Sequence, residues 1–194
     1  AATRACRFGS FAAERSARAS EARYRGLLDS MGVVAWEYDV KADRFTYVNS
    51  QAERLGGYTA ADWYEPGFWA TSLHPEDREH TVRTCRSYTE RGLDHILEYR
   101  MVARDGRPIW IRDIVTVDGA PGPPIRLHGV MIDITDLKRN EILQTGQRDI
   151  MEQIARQEPI GTILEALCRL VERLQPEFRC TVMEADKARG VLCC

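Results

Sequence analysis

The sequence predicts an α+β protein: a five-stranded antiparallel sheet with short helices gathered on one side, flanked by N-terminal and C-terminal helices. Two β-branched and aromatic runs stand near its start, and three more follow Gly92. The stretch between them is cut by Gly and Pro into short helical pieces. Strands at both ends with helices between fit a single sheet covered on one face.

From Phe11 to Met31 the chain is rich in Ala, Glu and Arg and lacks proline, with Ala22, Leu27, Leu28 and Met31 as a weak apolar stripe. This predicts a helix ending at Gly32. Val33 to Val40 and Arg44 to Asn49 flank the turn-prone Lys41-Ala42-Asp43 and read as a hairpin. Asn49 and Ser50 are placed to cap a short helix over Gln51 to Leu55, which Gly56-Gly57 stops. Thr59 to Asp62 reads as the cap and first turn of another, and Pro66-Gly67 breaks the chain before Phe68 to Leu73. His74-Pro75-Glu76-Asp77 opens a longer helix reaching about Arg91-Gly92, its proline and acids suited to a first turn.

Ile96 to Ala103 and Ile109 to Val117 flank Asp105-Gly106, a strong hairpin signal. Leu97, Tyr99, Met101 and Ala103 share one face and Glu98, Arg100 and Arg104 the other, so one side of the sheet is buried. A Gly/Pro-rich loop over Asp118 to Pro124 precedes the last strand, Ile125 to Ile134. Helical sequence then runs from Thr135 to Pro159. Leu143, Gln147, Ile150 and Ile154 step by four and three residues, either a seam for a partner helix, weakened by Gly146 and Gln147, or a helix on its own domain. A further amphipathic helix carries Ile160, Ile163, Leu167, Leu170 and Leu174 and stops at Gln175-Pro176, before a strand-like Cys180 to Met183. One helix and one strand do not bury that wide face, so this end reads as the truncated opening of a second domain. The expected divisions are a helix or linker over 1–31, a domain over 32–136, a linker helix over 137–158, and that opening over 159–194.

With 44% apolar and 29% charged residues the chain has the balance of a folded protein. A net charge of −2 offers no field to a polyanion, so no nucleic-acid partner is expected. No apolar stretch approaches the roughly 18 residues of a membrane span, and no apolar signal core stands at the start. No membrane contact and a cytoplasmic location are therefore expected. The cysteines are scattered without Cys-x-x-Cys spacing, which fits a reducing compartment and no zinc site.

Three stretches carry a family likeness. His74-Pro75-Glu76-Asp77-Arg78 is similar to a His-Pro-Asp-Asp helix start, and Glu98-Tyr99-Arg100 through Arg104-Asp105-Gly106 to Trp110-Ile111 is similar to a central hairpin. Gly129 with Asp133-Ile134-Thr135-Asp136 is similar to a terminal Asp-Ile-Thr junction. In this order and spacing they make the stretch from about Ser20 to Arg139 resemble a PAS domain of the subgroup common in bacterial signalling proteins. Gln147 to Asp186, chiefly Ile154 to Pro159 and the helix ending at Leu174, resembles the start of a GAF domain. The resemblance implies a PAS-like sheet and a PAS–GAF pair ahead of a diguanylate cyclase or cyclic-di-GMP phosphodiesterase, or of a histidine kinase.

For such a fold the chemistry must be argued from the pocket. Trp36, Tyr38, Tyr47, Trp69, Leu97 and Tyr99 are the candidate pocket residues, whose rings either fill the core or cage a small ligand. His80 lies in the helix where haem-binding relatives place an axial ligand, but its neighbours Arg78 and Glu79 are polar, and a porphyrin needs an apolar wall. The photoactive subgroup's Asn-Cys-Arg motif is absent; Cys85 stands in Thr84-Cys85-Arg86 and reads as a small half-buried thiol. Neither haem nor flavin is expected, no metal ligands cluster, and no nucleophile–base motif or phosphate loop occurs, so this segment is read as regulatory and not catalytic. Asp133, Ile134, Thr135 and Asp136 sit where the last strand becomes the exit helix, a place suited to capping and to transmitting a shift of the sheet, with Arg112 as the expected salt partner of Asp133. The reading is a sensory module that binds a small ligand and signals through its C-terminal helix, dimeric through its flanking helices; the alternative is a ligand-free structural dimerisation module.

Overall fold

The computed structural model describes residues 26, 28, 30, 32–118, 126–175, 178–186 and 191–193. Most of the helix expected over Phe11 to Met31, and the loop beyond Asp118, lie outside these, although Gly26, Leu28 and Ser30 are helical. The chain divides into two compact units, residues 1–134 and 135–194.

The first unit is built on five antiparallel strands: β1 (Val34–Asp39), β2 (Arg44–Val48), β3 (His95–Val102), β4 (Pro108–Asp118) and β5 (Arg126–Asp133). Their spatial order is β2-β1-β5-β4-β3, so the strand that ends the unit lies in the middle of the sheet, beside the one that begins it. Between β2 and β3 come α1 (Gln51–Gly56), α2 (Ala60–Trp63), α3 (Phe68–Ser72) and α4 (Pro75–Glu90).

Turn and cap chemistry fix these short pieces. Gly57 ends α1 in the left-handed conformation, φ +71°, which costs glycine no Cβ clash. Thr59 and Asp62 form a reciprocal capping box on α2. Ser50 occupies the cap position of α1 but, against the expectation from the sequence, does not cap it through its side chain. Asn49 instead turns back to β1, where its Oδ1 accepts from the Ala35 amide at 3.2 Å and its Nδ2 donates to the Val33 carbonyl at 3.0 Å.

Alternation directs Ile109, Ile111, Asp113 and Val115 of β4 to the buried side, joined there by Tyr99 and Met101 of β3 and Leu127 and Met131 of β5. Trp63 and Phe68 from the helices close this core around Phe45. β1 and β2 slip register between Glu37 and Tyr38, so Tyr38 pairs with Phe45 while Glu37 pairs with Tyr47. Phe45 and Val48, three residues apart, are both buried as a result.

In the second unit α5 (Thr135–Ala155) packs on α6 (Ile160–Leu174). Gly146 makes the approach close, because a Cβ there would lie 2.4 Å from the Leu170 Cδ1. The buried face of α5 is therefore Gly146 and Ile150, whereas Leu143, Gln147 and Ile154 of the expected seam are exposed. Residues 180–183 are not a strand; the short hairpin here is β6 (Glu184–Asp186) with β7 (Val191–Cys193), because β-propensity without a paired edge does not make a strand. No described helix is long and apolar enough to cross a membrane.

Candidate functional site

Between the buried face of the sheet and α4 lies a cavity of about 390 Å³, within the range of small-molecule sites. Trp36, Tyr38, Asp113, Leu127 and Met131 form its sheet wall, Trp69 and Ala70 of α3 one side, and Val82, Cys85 and Thr89 of α4 the roof. Phe45 closes it from β2, and Asp43, Arg86 and Glu90 bring charge to its lining.

Asp113 is the residue that sequence reasoning missed. Only 3% of it is exposed, because β4 alternation turns its carboxylate to the buried face of the sheet. Its Oδ1 accepts from the Trp36 indole N–H at 3.1 Å and its Oδ2 from the Tyr99 hydroxyl at 2.9 Å. Trp69 in turn donates its indole N–H to the Tyr99 oxygen at 3.1 Å. Four side chains from β1, β3, β4 and α3 thus form one polar network in an apolar wall. Burial pushes the Asp113 carboxyl up to about 7, although both bonds to it favour the charged form. Burial and the neighbouring Asp113 carboxylate together raise the Tyr99 phenol well above its ordinary value. The signal was present in the sequence as a carboxylate at an inward-facing position between Ile111 and Val115.

The other expected pocket residues divide. Trp36, Tyr38 and Trp69 line the cavity, and Tyr99 reaches it through the network. Leu97 lies on the same face as the register partner of Asp113, half-buried against the core but outside the cavity wall. Tyr47 lies across from Glu37 on the opposite face of the sheet, because the irregularity in the first hairpin gives its inward place to Phe45.

The Tyr38 hydroxyl donates to Asp43, which holds a left-handed conformation at φ 53° in the β1–β2 turn. Burial raises the Tyr38 phenol, with the Asp43 bond adding to it. Cys85 is half-buried, and burial pushes its thiol up to about 11, so it is a neutral wall group and not a thiolate. His80 is exposed on α4 and does not line the cavity, so it does not present an axial ligand there. No cluster of metal-binding side chains occurs among the described residues.

The roof is pinned by the His74-Pro75-Glu76-Asp77 start. Arg100 of edge strand β3 donates its backbone N–H and Nε to Asp77 Oδ2, each at 2.9 Å, and an Nη to Asp77 Oδ1 at 2.6 Å. A further bond of 2.7 Å reaches Glu76. Hydrogen bonding from Arg100 holds the Asp77 carboxyl below its usual range, against the opposing effect of burial.

At the exit, Met131 lines the cavity two residues before Asp133 ends β5. Ile134 donates its amide to the Trp110 carbonyl at 2.8 Å, and α5 begins at Thr135 with Asp136 in its first turn. Arg112 donates twice to Glu98 across the β3–β4 ladder, at 2.9 and 2.6 Å. Glu98 is its register partner, whereas Asp133 lies opposite Ile111 on the other neighbouring strand.

Comparison with known proteins places this geometry in context. A family model described as the PAS fold matches residues 45–131, from Phe45 of β2 to Met131 of β5. A solved structure of the N-terminal domain of a diguanylate cyclase with PAS/PAC sensor from Marinobacter aquaeolei is 38% identical, with a TM-score of 0.50, over 53% of this chain and 94% of that one. A sensory box histidine kinase/response regulator from Burkholderia thailandensis E264 shares the fold, with a TM-score of 0.56 at 24% identity, over 68% of this chain and 98% of that one. A methyl sulfide methyltransferase-associated sensor of Methanosarcina acetivorans is 28% identical over 144 residues, 73% of this chain. The chain spans 14% of that sensor's length. Through the unit that holds the Asp113 cavity, the chain belongs to the PAS-fold family.

Proposed function

We propose that the chain is a cytoplasmic sensory module: the cavity binds a small ligand, and occupancy is relayed along β5 into α5 to an output domain, a cyclic-di-GMP enzyme or a histidine kinase. The single observation that supports this best is the continuity of β5. Leu127 and Met131 on that strand line the cavity, and the strand runs through Asp133 and Ile134 straight into α5 at Thr135. A ligand that displaces either side chain acts on the strand that feeds the helix. Regulation, not catalysis, fits a wall whose thiol and phenols burial keeps protonated.

Dimerisation belongs to the same reading. Met151 and Ile154 on α5 and Ile160, Leu167 and Val171 on α6 are exposed apolar side chains within the second unit, a surface suited to a second copy of the flanking helices. The second unit is read as the opening of a GAF-like domain. Native mass spectrometry with an absorbance spectrum of the gently purified chain tests the sensory reading. The expected result is a small-molecule adduct that is lost when Cys85→Phe fills the cavity. A ligand-free dimer that no metabolite pool loads would instead establish the structural dimerisation module.

A further inference from the structure

Resting on the reading of this cavity as a ligand site, we propose that its ligand is a small hydrophobic cation, an amine whose ammonium lies against Asp113 and whose apolar body lies among the aromatic rings. Asp113 is 3% exposed, and the donors that reach it among the described residues, the Trp36 indole and the Tyr99 phenol, are both neutral. A buried carboxylate held only by neutral donors lacks the counter-charge that normally offsets its desolvation. A ligand ammonium in the cavity supplies that charge.

The balance of the remaining charged groups is also negative. Asp43 from the β1–β2 turn and Glu90 from α4 add two carboxylates to the lining against one guanidinium, Arg86 of α4. Cys85 and Tyr99, the titratable groups beside Asp113 from α4 and β3, are held neutral by burial, as is Tyr38 on β1. Trp36, Tyr38, Phe45 and Trp69 present ring faces or edges to the space, and aromatic faces attract a desolvated cation. A carboxylate ligand would meet Asp113 as a like charge, and a neutral one would leave its charge uncompensated.

The proposal fixes a pH dependence. Asp113 must be ionised to hold an ammonium, and burial pushes its carboxyl up to about 7. Affinity is therefore steady above that value and falls by up to about ten-fold per pH unit below it, with a proton released on binding.

Isothermal titration of the chain with phenethylamine, phenethyl alcohol and phenylacetate tests this, since the three share a body and differ in charge. The expected result at pH 8 is that the amine binds at least about ten-fold more tightly than the alcohol, a preference that shrinks at pH 6 and disappears in Asp113→Asn. Because the wild-type comparison needs no variant, a poorly folded Asp113→Asn would not rescue the idea. Equal or tighter binding of the alcohol or the carboxylate overturns the amine assignment and leaves the ligand-site reading intact. Failure of all three to bind at millimolar concentration overturns both.

Discussion

Burial of Asp113 makes the stability of the fold depend on pH. Its folded carboxyl near 7 lies above the ordinary 3.8, so between those values Asp113 binds more protons in the native state than in the unfolded chain, and the stability it contributes falls as pH rises from about 4 to 7. The span corresponds to at most about 4 kcal/mol. Asp113→Asn should flatten this slope, making the variant the more stable one at pH 8 relative to its behaviour at pH 4, as read from urea unfolding at both. At Gly129 a Cβ would stand 2.1 Å from the Ile114 carbonyl oxygen and 2.8 Å from the Trp36 ring. Gly129→Ala should cost about 2–3 kcal/mol by overpacking against backbone that cannot yield, and shift tryptophan emission as Trp36 is displaced. Aromatic wall residues such as Trp36 and Trp69 were legible in the sequence because bulky rings near one sheet announce themselves. Asp113 was not, because an acid beside Arg112 reads as part of a surface pair until the face of β4 is known; Tyr47 was misplaced because a register slip is invisible to a strict period of two.

Helix α4 shows an element fixed from outside its own sequence. Its start was legible from proline and the flanking acids, but what those acids hold was not: Asp77 and Glu76 clamp Arg100, a residue 23 positions from Asp77. Arg100→Ala should cost about 1–2 kcal/mol, limited by partial solvent screening. Because Asp77 is held below its ordinary range, the clamp contributes at pH above about 4 and is lost as pH falls through the folded value; circular-dichroism melts at pH 3 and pH 7 should differ less in the variant than in the wild type. The strands were legible to within a residue or two, since alternation and the Asp105-Gly106 turn dictate them. The pair of Glu184–Asp186 with Val191–Cys193 was not, because both of its strands lie beyond the apolar run at 180–183 that suggested a strand.

For the whole chain, the sequence changes character at Thr135 and the second compact unit begins at the same residue, whereas the packing of α5 on α6 through Gly146 was not legible. If β5 relays occupancy, Asp133→Ala in the chain fused ahead of a cyclase output domain should change basal output while leaving the melting transition in place; unchanged output would argue against relay through this junction. The Asn49 side chain turns back onto β1. Its carboxamide occupies the place of a peptide unit beside β1, accepting from Ala35 while the Asn49 amide donates back to the Ala35 carbonyl at 3.0 Å. The deuterium uptake of the Ala35 amide is thus governed by one side chain and not by a neighbouring strand, so Asn49→Ala should unmask that single position and turn it into a local clock for opening at the end of the sheet where the helical layer begins.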